Sequence, residues 1–205
     1  MYVPVPFEMS CTLLTQGHQV GDSSQDTTVR YSSREEVNAY LDAFHTYGGR
    51  EVDTARGYPP HAPGSSEERL GLVAAGDRFL IDTKVLSFTP GSHAKGKIQE
   101  SVSTSLDLLK IPAINIEYLH VPDRATPFAE TLEAMDQAYR AGKFRLLGLS
   151  NFTADEVNEI MAICTEKRWC KPSVYQGQYN AIVRSGEAQL FPTLRKHNIA
   201  FYAWR

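Results

Sequence analysis

Residues 114–150, INIEYLHVPDRATPFAETLEAMDQAYRAGKFRLLGLS, read as one strand–helix–strand unit, and that reading decides the fold. INIEYLHVP opens the unit as a short, largely apolar run of the kind that forms a buried strand. Pro127 is placed to be the first residue of a helix, where a fixed φ and a missing N–H cost nothing. Phe128, Leu132, Met135 and Tyr139 then recur on one helical face, and Gly142 supplies the stop. FRLLGLS is the next strand. A strand, a helix and a second strand in this order are the repeating unit of a parallel α/β sheet.

The same alternation extends in both directions. Upstream, Ser32 and Glu35 are spaced as a capping box ahead of Val37, Tyr40, Leu41, Phe44 and Tyr47, with Gly48 and Gly49 as the stop. EVDTA (51–55) reads as a strand, Ser65, Ser66 and Glu67 open a shorter helix, and FLIDTKV (79–85) is a strand. Ile98, Val102, Leu106 and Leu109 mark a third helix. Downstream, Thr153 and Glu156 form a second capping box before Val157, Ile160, Met161 and Cys164. SVYQGQYN, a helix around Leu190 and Leu194, and IAFYAW complete the series. The repeat is about thirty residues, as βα units require. Counted from EVDTA, these are strands two to seven of a TIM-type (β/α)8 barrel in the α/β class.

Residues 31–205 are therefore expected to form a partial barrel, and residues 1–30 an irregular N-terminal segment. Within that segment only SCTLLT (10–15) resembles a strand, and Pro4, Pro6 and Glu8 fit poorly in a barrel stave, so the first strand is expected to be replaced or displaced. A doubly wound nucleotide-binding sheet is the competing architecture and needs a Gly-rich phosphate loop after its first strand. GLVAAG (71–76) is the only candidate spacing; it lies late in a helical segment and lacks the central glycine, which rejects it.

Composition narrows the class further. A chain of 205 residues with 42% hydrophobic content can bury one sizeable core. A net charge of −3 with mixed signs throughout gives no basic stripe for nucleic acid. No run reaches the ~18 apolar residues of a membrane helix. MYVPVPFEMS lacks the basic and apolar regions of a secretory signal, so the Asn151-Phe152-Thr153 sequon reads as accidental. Cys11, Cys164 and Cys170 are odd in number and have no zinc-like spacing, which points to free thiols in a reducing, cytoplasmic setting and to no metal site.

Four polar side chains stand at or just past the C-terminal ends of three successive strands: Asp53 and Tyr58 in EVDTARGY, Lys84 in FLIDTKV and His120 in INIEYLHVP. In a parallel barrel that end is where chemistry is done. A phenol, an ammonium, an imidazole and a carboxylate converging there make a proton-donor system. Taken singly, each has a plainer reading: a capping acid, a solvated lysine, a packing tyrosine, a structural histidine. Their joint placement argues for chemistry.

EVDTARGY, SSEERLG (65–71), YLHVPDRATP (118–127), GKFRLLGLSNF (142–152) and PSVYQGQYN (172–180) together resemble the aldo-keto reductase family, in the family's order and most closely in its aflatoxin-aldehyde reductase branch with the fungal relatives. The resemblance runs from about Glu35 to Trp204. It implies a TIM barrel that binds NADPH and reduces an aldehyde or ketone to an alcohol, in the fungal relatives within secondary metabolism. It implies that Tyr58 protonates the carbonyl oxygen, that Lys84 lowers the phenol's pKa, that Asp53 holds Lys84, and that His120 orients the carbonyl. Ser150, Asn151 and Gln176 match the residues that hold the nicotinamide carboxamide, and Trp204 the aromatic ring against its face.

Measured against that family, strand eight, the last helices and the basic residues for the cofactor's 2′-phosphate are missing, and strand one is irregular. An open barrel leaves strand seven with unpaired backbone groups, so a homo-oligomer or a partner chain that closes it is expected. Two other functions compete with carbonyl reduction. One is a truncated, catalytically impaired relative that binds a partner or is a non-productive product. The other is an isomerase or dehydratase that uses Tyr58 and His120 without nicotinamide. Pro59-Pro60-His61-Ala62-Pro63 should form a stiff rim beside Tyr58.

Overall fold

Alternation along each strand sorts the side chains onto two faces, and the sheet is built around that division. The computed structural model describes residues 14–16 and 19–204. Seven strands, β1 (Leu14–Gln16), β2 (Glu51–Asp53), β3 (Leu80–Lys84), β4 (Ile114–Leu119), β5 (Phe144–Ser150), β6 (Pro172–Gln178) and β7 (Ala200–Trp204), pair in sequence order. Every pairing is parallel. The connections carry helices α1 (Arg34–Thr46), α2 (Ser65–Leu72), α3 (Lys95–Leu109), α4 (Phe128–Arg140), α5 (Ala154–Lys167) and α6 (Leu190–Lys196). This is the incomplete (β/α) barrel that the alternation predicts.

The sheet curls. Gln176 on β6 donates a 3.1 Å hydrogen bond to Asp53 on β2. In a flat sheet four strand spacings would separate those strands by about 19 Å, beyond the reach of two side chains. Among the described residues no ladder joins β7 back to β1, so the curl stays open on that side.

The outer face of the sheet meets the helices. Leu119, Leu147, Leu149, Tyr175 and Phe201 pack there with Ile98 and Val102 of α3, Leu132 and Met135 of α4, and Val157 and Ile160 of α5. Val52 and Ile81 join Val37 and Leu41 of α1 and Leu70 of α2 in a second cluster. The inner face is smaller and more polar: Ile116, Tyr118 and Val174 are buried there beside Tyr202. Gly148 sits directly opposite Tyr118 in the β4–β5 ladder. A Cβ at Gly148 would lie 2.2 Å from the Tyr118 ring, so only glycine admits that aromatic to the interior.

The helix ends follow local rules, with two shifts of one residue. The first capping box uses Ser33 and Glu36 rather than Ser32 and Glu35; Glu36 accepts from both Ser32 and Ser33 backbone N–H groups. Pro127 is the N-cap of α4, one residue before the helix. Thr153 and Glu156 form the capping box of α5 as expected.

A first strand does stand beside β2, in register Leu14↔Glu51, Thr15↔Val52 and Gln16↔Asp53, and it is only three residues long. The expectation of a displaced strand is corrected to a short one in its regular place. Pro4, Pro6, Glu8 and Cys11 lie outside the described residues. The loop that follows β1 is tied to the barrel. Val20 is fully buried with Val37 and Leu41, Asp22 N–H donates to Ser65 Oγ at 2.9 Å, and Asp26 accepts from His61 N–H at 2.9 Å.

Candidate active site

The parity of the strands brings Asp53, Lys84 and Gln176 together on the inner face. Lys84 is 1% exposed and Asp53 3%. The Lys84 ammonium donates to Asp53 Oδ1 and Oδ2, each at 2.6 Å, and to the Thr54 carbonyl at 2.7 Å. Gln176 adds its 3.1 Å bond to Asp53 Oδ1. A buried ammonium is tolerable only when its charge is met in this way. Lys84 also lies 5.0 Å from the Tyr58 ring centre and 5.6 Å from that of Tyr118.

Tyr58 reaches this cluster from the loop after β2. Its N–H donates to Ala55 O at 3.0 Å, and its carbonyl accepts from Gly64 and Ser66. Burial pushes the phenol's pKa up, and the charge and hydrogen bond of Lys84 pull it back down. Burial prevails. The downward pull expected of Lys84 is therefore present, but the net shift is upward because the ring is desolvated.

His120 follows β4, with its ring edge-on to Tyr58 at 5.5 Å between centroids. Phe88 covers it from the other side at 5.0 Å. Burial, reinforced by the Lys84 charge, holds the His120 pKa down at about 3. The imidazole is neutral at physiological pH and carries one N–H.

Asn151, one residue past β5, has φ 66°, a left-handed conformation that asparagine tolerates. The turn lets its amide N–H₂ donate to His120 O at 2.8 Å and to Ser150 Oγ at 3.0 Å. Both of its donors are used inside the protein, leaving Asn151 Oδ1 as the acceptor. Gln176, with its N–H₂ turned to Asp53, likewise keeps its carbonyl oxygen.

These groups open on one cavity of about 860 Å³ at the C-terminal end of the strands. Tyr58, His120, Ser150, Asn151, Gln176 and Trp204 all line it. Asp53 and Lys84 lie beneath, behind Tyr58. Every residue singled out from the sequence is thus in or directly under a single site. Pro60, from the expected rim, is part of the wall.

Sequence reasoning missed Gln19, Thr27, Thr28 and Arg30, which come over the cavity from the loop after β1, and Phe88 and Val121 from the loops after β3 and β4. No periodic signal marks the first four. Phe88 follows a strand end, and that position was the available clue.

Among the described residues no group of His, Cys, Asp or Glu is placed to hold a metal ion, and no helix is long and apolar enough to cross a membrane. Cys164 and Cys170 are free, and burial pushes both thiols up to about 12.

Comparison with known proteins identifies the family. The family described as "Aldo/keto reductase family" matches residues 19–205. An aldo-keto reductase of Pseudocercospora fijiensis is 40% identical over 169 residues, covering 80% of this chain and 56% of the relative. Human aldo-keto reductase family 7 member A3 is 42% identical over 173 residues, 82% of this chain and 50% of the relative. Human aflatoxin B1 aldehyde reductase member 2 is 40% identical, over 82% of this chain and 46% of the relative. The chain spans about half the length of the curated relatives it matches. With a family match across nearly all of its described residues and a parallel barrel carrying the site at its C-terminal end, the chain belongs to the aldo/keto reductase family.

Proposed function

We propose that this chain carries the active site for NADPH-dependent reduction of an aldehyde or ketone to an alcohol, with Tyr58 as proton donor. The observation that carries the reading is Lys84, held at 2.6 Å by both oxygens of Asp53 and placed beneath the Tyr58 ring, with His120 edge-on to that ring at the floor of the cavity.

The residues present suit a nicotinamide. Asn151 Oδ1 and the carbonyl oxygen of Gln176 are free to accept from a carboxamide N–H₂, and the Ser150 hydroxyl can donate to its carbonyl. Trp204 supplies a flat apolar wall beside them. A nicotinamide held there would supply the hydride for the carbonyl carbon.

The chain's own groups manage the oxygen. His120, neutral and with one N–H, donates to the carbonyl oxygen and fixes its direction. The Tyr58 O–H bond breaks as its proton passes to that oxygen, which becomes the alcohol hydroxyl. The phenolate left behind is stabilised by the Lys84 ammonium, and its proton is restored from solvent. A positive charge held beneath the phenol favours the deprotonated form, so Lys84 acts where negative charge develops. Asp53 and Gln176 keep that ammonium from swinging away. Phe88, Val121 and Pro60 present apolar surface, which suits a substrate with an aromatic or aliphatic body.

The test is NADPH consumption with 4-nitrobenzaldehyde by the wild-type chain and by Tyr58→Phe, with NADH run in parallel. Removing a general acid lowers the rate by about 10²–10⁴-fold. Tyr58→Phe is expected to lose turnover by that amount and to retain cofactor binding, since only the hydroxyl is removed. Turnover of Tyr58→Phe at the wild-type rate would refute the assignment.

A further inference from the structure

His93 is a second histidine near the site, fully buried in the loop between β3 and α3, and the chemistry just described makes no use of it. Its Nε2 and Ser87 Oγ share a 2.7 Å hydrogen bond. Ser87 Oγ donates its own proton to Val85 O at 3.0 Å, so the hydroxyl accepts from His93 and Nε2 carries the hydrogen. Nδ1 is then the unprotonated nitrogen, buried and without a partner among the described residues. Burial holds the His93 pKa down at about 4, although the nearby Asp123 pulls it upward.

The backbone of the same residue reaches the next loop. His93 N–H donates to Asp123 Oδ2 at 3.1 Å, and His93 O accepts from the Thr131 hydroxyl at 3.3 Å. Asp123 is itself saturated, taking bonds from Thr126 Oγ at 2.7 Å and Ala125 N–H at 3.0 Å. Burial of Asp123 works against ionisation, but the Thr126, His93, Ala125 and Gly91 donors outweigh it and hold its carboxyl at about 2. One buried residue therefore ties the loop after β3 to the turn after β4. The first loop carries Phe88 next to Ser87. The second begins at His120 and Val121.

Phe88 needs such a tie. It is 57% exposed, so packing alone does not fix its ring, yet it lies 5.0 Å from the His120 ring and lines the cavity. Gly57, next to Tyr58, presses on it from the other side: a Cβ there would come within 2.6 Å of the Phe88 ring. The aromatic thus stands between the two loops that bear Tyr58 and His120, and it follows Ser87 directly in the chain.

We propose that His93 is a positioning residue for the carbonyl site: its link from Ser87 to the Asp123 turn holds Phe88 against His120 and so sets the wall that receives the body of the substrate. This rests on the carbonyl-reductase reading for its consequence on turnover, and on geometry alone for the coupling between the loops. The wall shapes substrate binding, whereas the proton donor lies on the loop after β2 and the carboxamide contacts on β5, just past it and on β6. Loss of the link therefore falls mainly on KM.

The experiment compares His93→Leu with His93→Gln, whose terminal amide reaches Ser87 from nearly the same place as Nε2–H. His93→Leu leaves the Ser87 hydroxyl without its donor; KM for 4-nitrobenzaldehyde is expected to rise about tenfold, the effect of roughly one buried hydrogen bond, with a smaller change in kcat and unchanged NADPH affinity. His93→Gln should recover most of that loss. Ring resonances of Phe88 and His120 should shift in His93→Leu and return in His93→Gln, a readout that needs no catalysis. Equal KM and unmoved resonances in His93→Leu would overturn the proposal. So would a folded His93→Gln as impaired as His93→Leu, which would make the residue a space-filler; if His93→Leu does not fold, a tenfold KM rise in His93→Gln decides the same way. Ring shifts as expected, with no turnover even by the wild type, would sink the reductase reading and leave the loop coupling demonstrated.

Discussion

Lys84 and Glu117 are both completely withdrawn from water, and the protein treats them in opposite ways. Lys84 has a carboxylate and a carbonyl within 2.7 Å. Glu117, on the outer face of β4, has neither carboxyl oxygen hydrogen-bonded among the described residues. Burial raises its pKa well above the ordinary glutamate range, the charge of Glu67 pushes it further up, and Lys84 offsets part of the rise. The folded state therefore holds a proton that the unfolded chain releases near pH 4.3. Stability from that proton is complete below the unfolded pKa and is lost as pH rises toward the folded one. Glu117→Gln keeps the shape and removes the titration. Its melting temperature should match wild type near pH 4 and exceed it at pH 7, by roughly 2–4 °C for each kcal/mol recovered. Melts at both pH values check this, and a variant less stable than wild type at pH 7 would mean that Glu117 has a charged partner after all. At this level the sequence was partly legible. Asp53, Tyr58, Lys84 and His120 are polar groups at or just past strand ends, which the strand-like runs and the alternation along them expose. Glu117 lies one residue off that pattern, and nothing in the sequence says that its carboxyl lacks a partner.

Strands and helices follow from periodicity and punctuation, and here the sequence reads well. The six runs from EVDTA to IAFYAW match β2 to β7, with β6 starting one residue earlier at Pro172, and the apolar faces of α1, α3, α4 and α5 are the ones that pack, except that Tyr47, expected on the α1 face, is exposed just past the helix. The first capping box was misplaced by one residue because Ser32-Ser33 and Glu35-Glu36 offer two equivalent spacings, and only the backbone turn chooses. Links between loops were not legible. Ser87, His93 and Asp123 are up to 36 residues apart and belong to no repeat, so their bonds exist only once α3 has returned the chain to the sheet. Pairing between elements also makes demands that propensity does not show. A glycine inside a strand ordinarily weakens it, yet Gly148 faces the fully buried Tyr118, whose ring also lies 5.6 Å from the Lys84 ammonium. Gly148→Ala would force that ring into space already filled. Overpacking of this kind costs about 1–3 kcal/mol, and denaturant melts should show a loss in that range. No loss would mean that the interior beside Tyr118 has room to spare.

Over the molecule as a whole, curvature turns a one-dimensional order of strands into a pocket. β2 and β6 are far apart in the ladder and touch through Asp53 and Gln176, so the proton-donor side and the carboxamide side face one cavity. The alternation in the sequence implies a barrel, but the closeness of those two sides depends on tilt and curl, which no local pattern encodes. The loop after β1 is the part that reading left least defined. It nonetheless contributes Thr27, Thr28 and Arg30 to the cavity and Val20 to the core.

The proposed reductase function requires that a nicotinamide fit beside Tyr58 and His120. Titrating the purified 205-residue chain with NADPH while following tryptophan emission tests it most directly, because Trp204 lines the cavity and Trp169 does not. Saturable quenching that disappears in Trp204→Phe, whose remaining emission does not respond, is the predicted result. A folded chain whose Trp204 emission is indifferent to NADPH would contradict it.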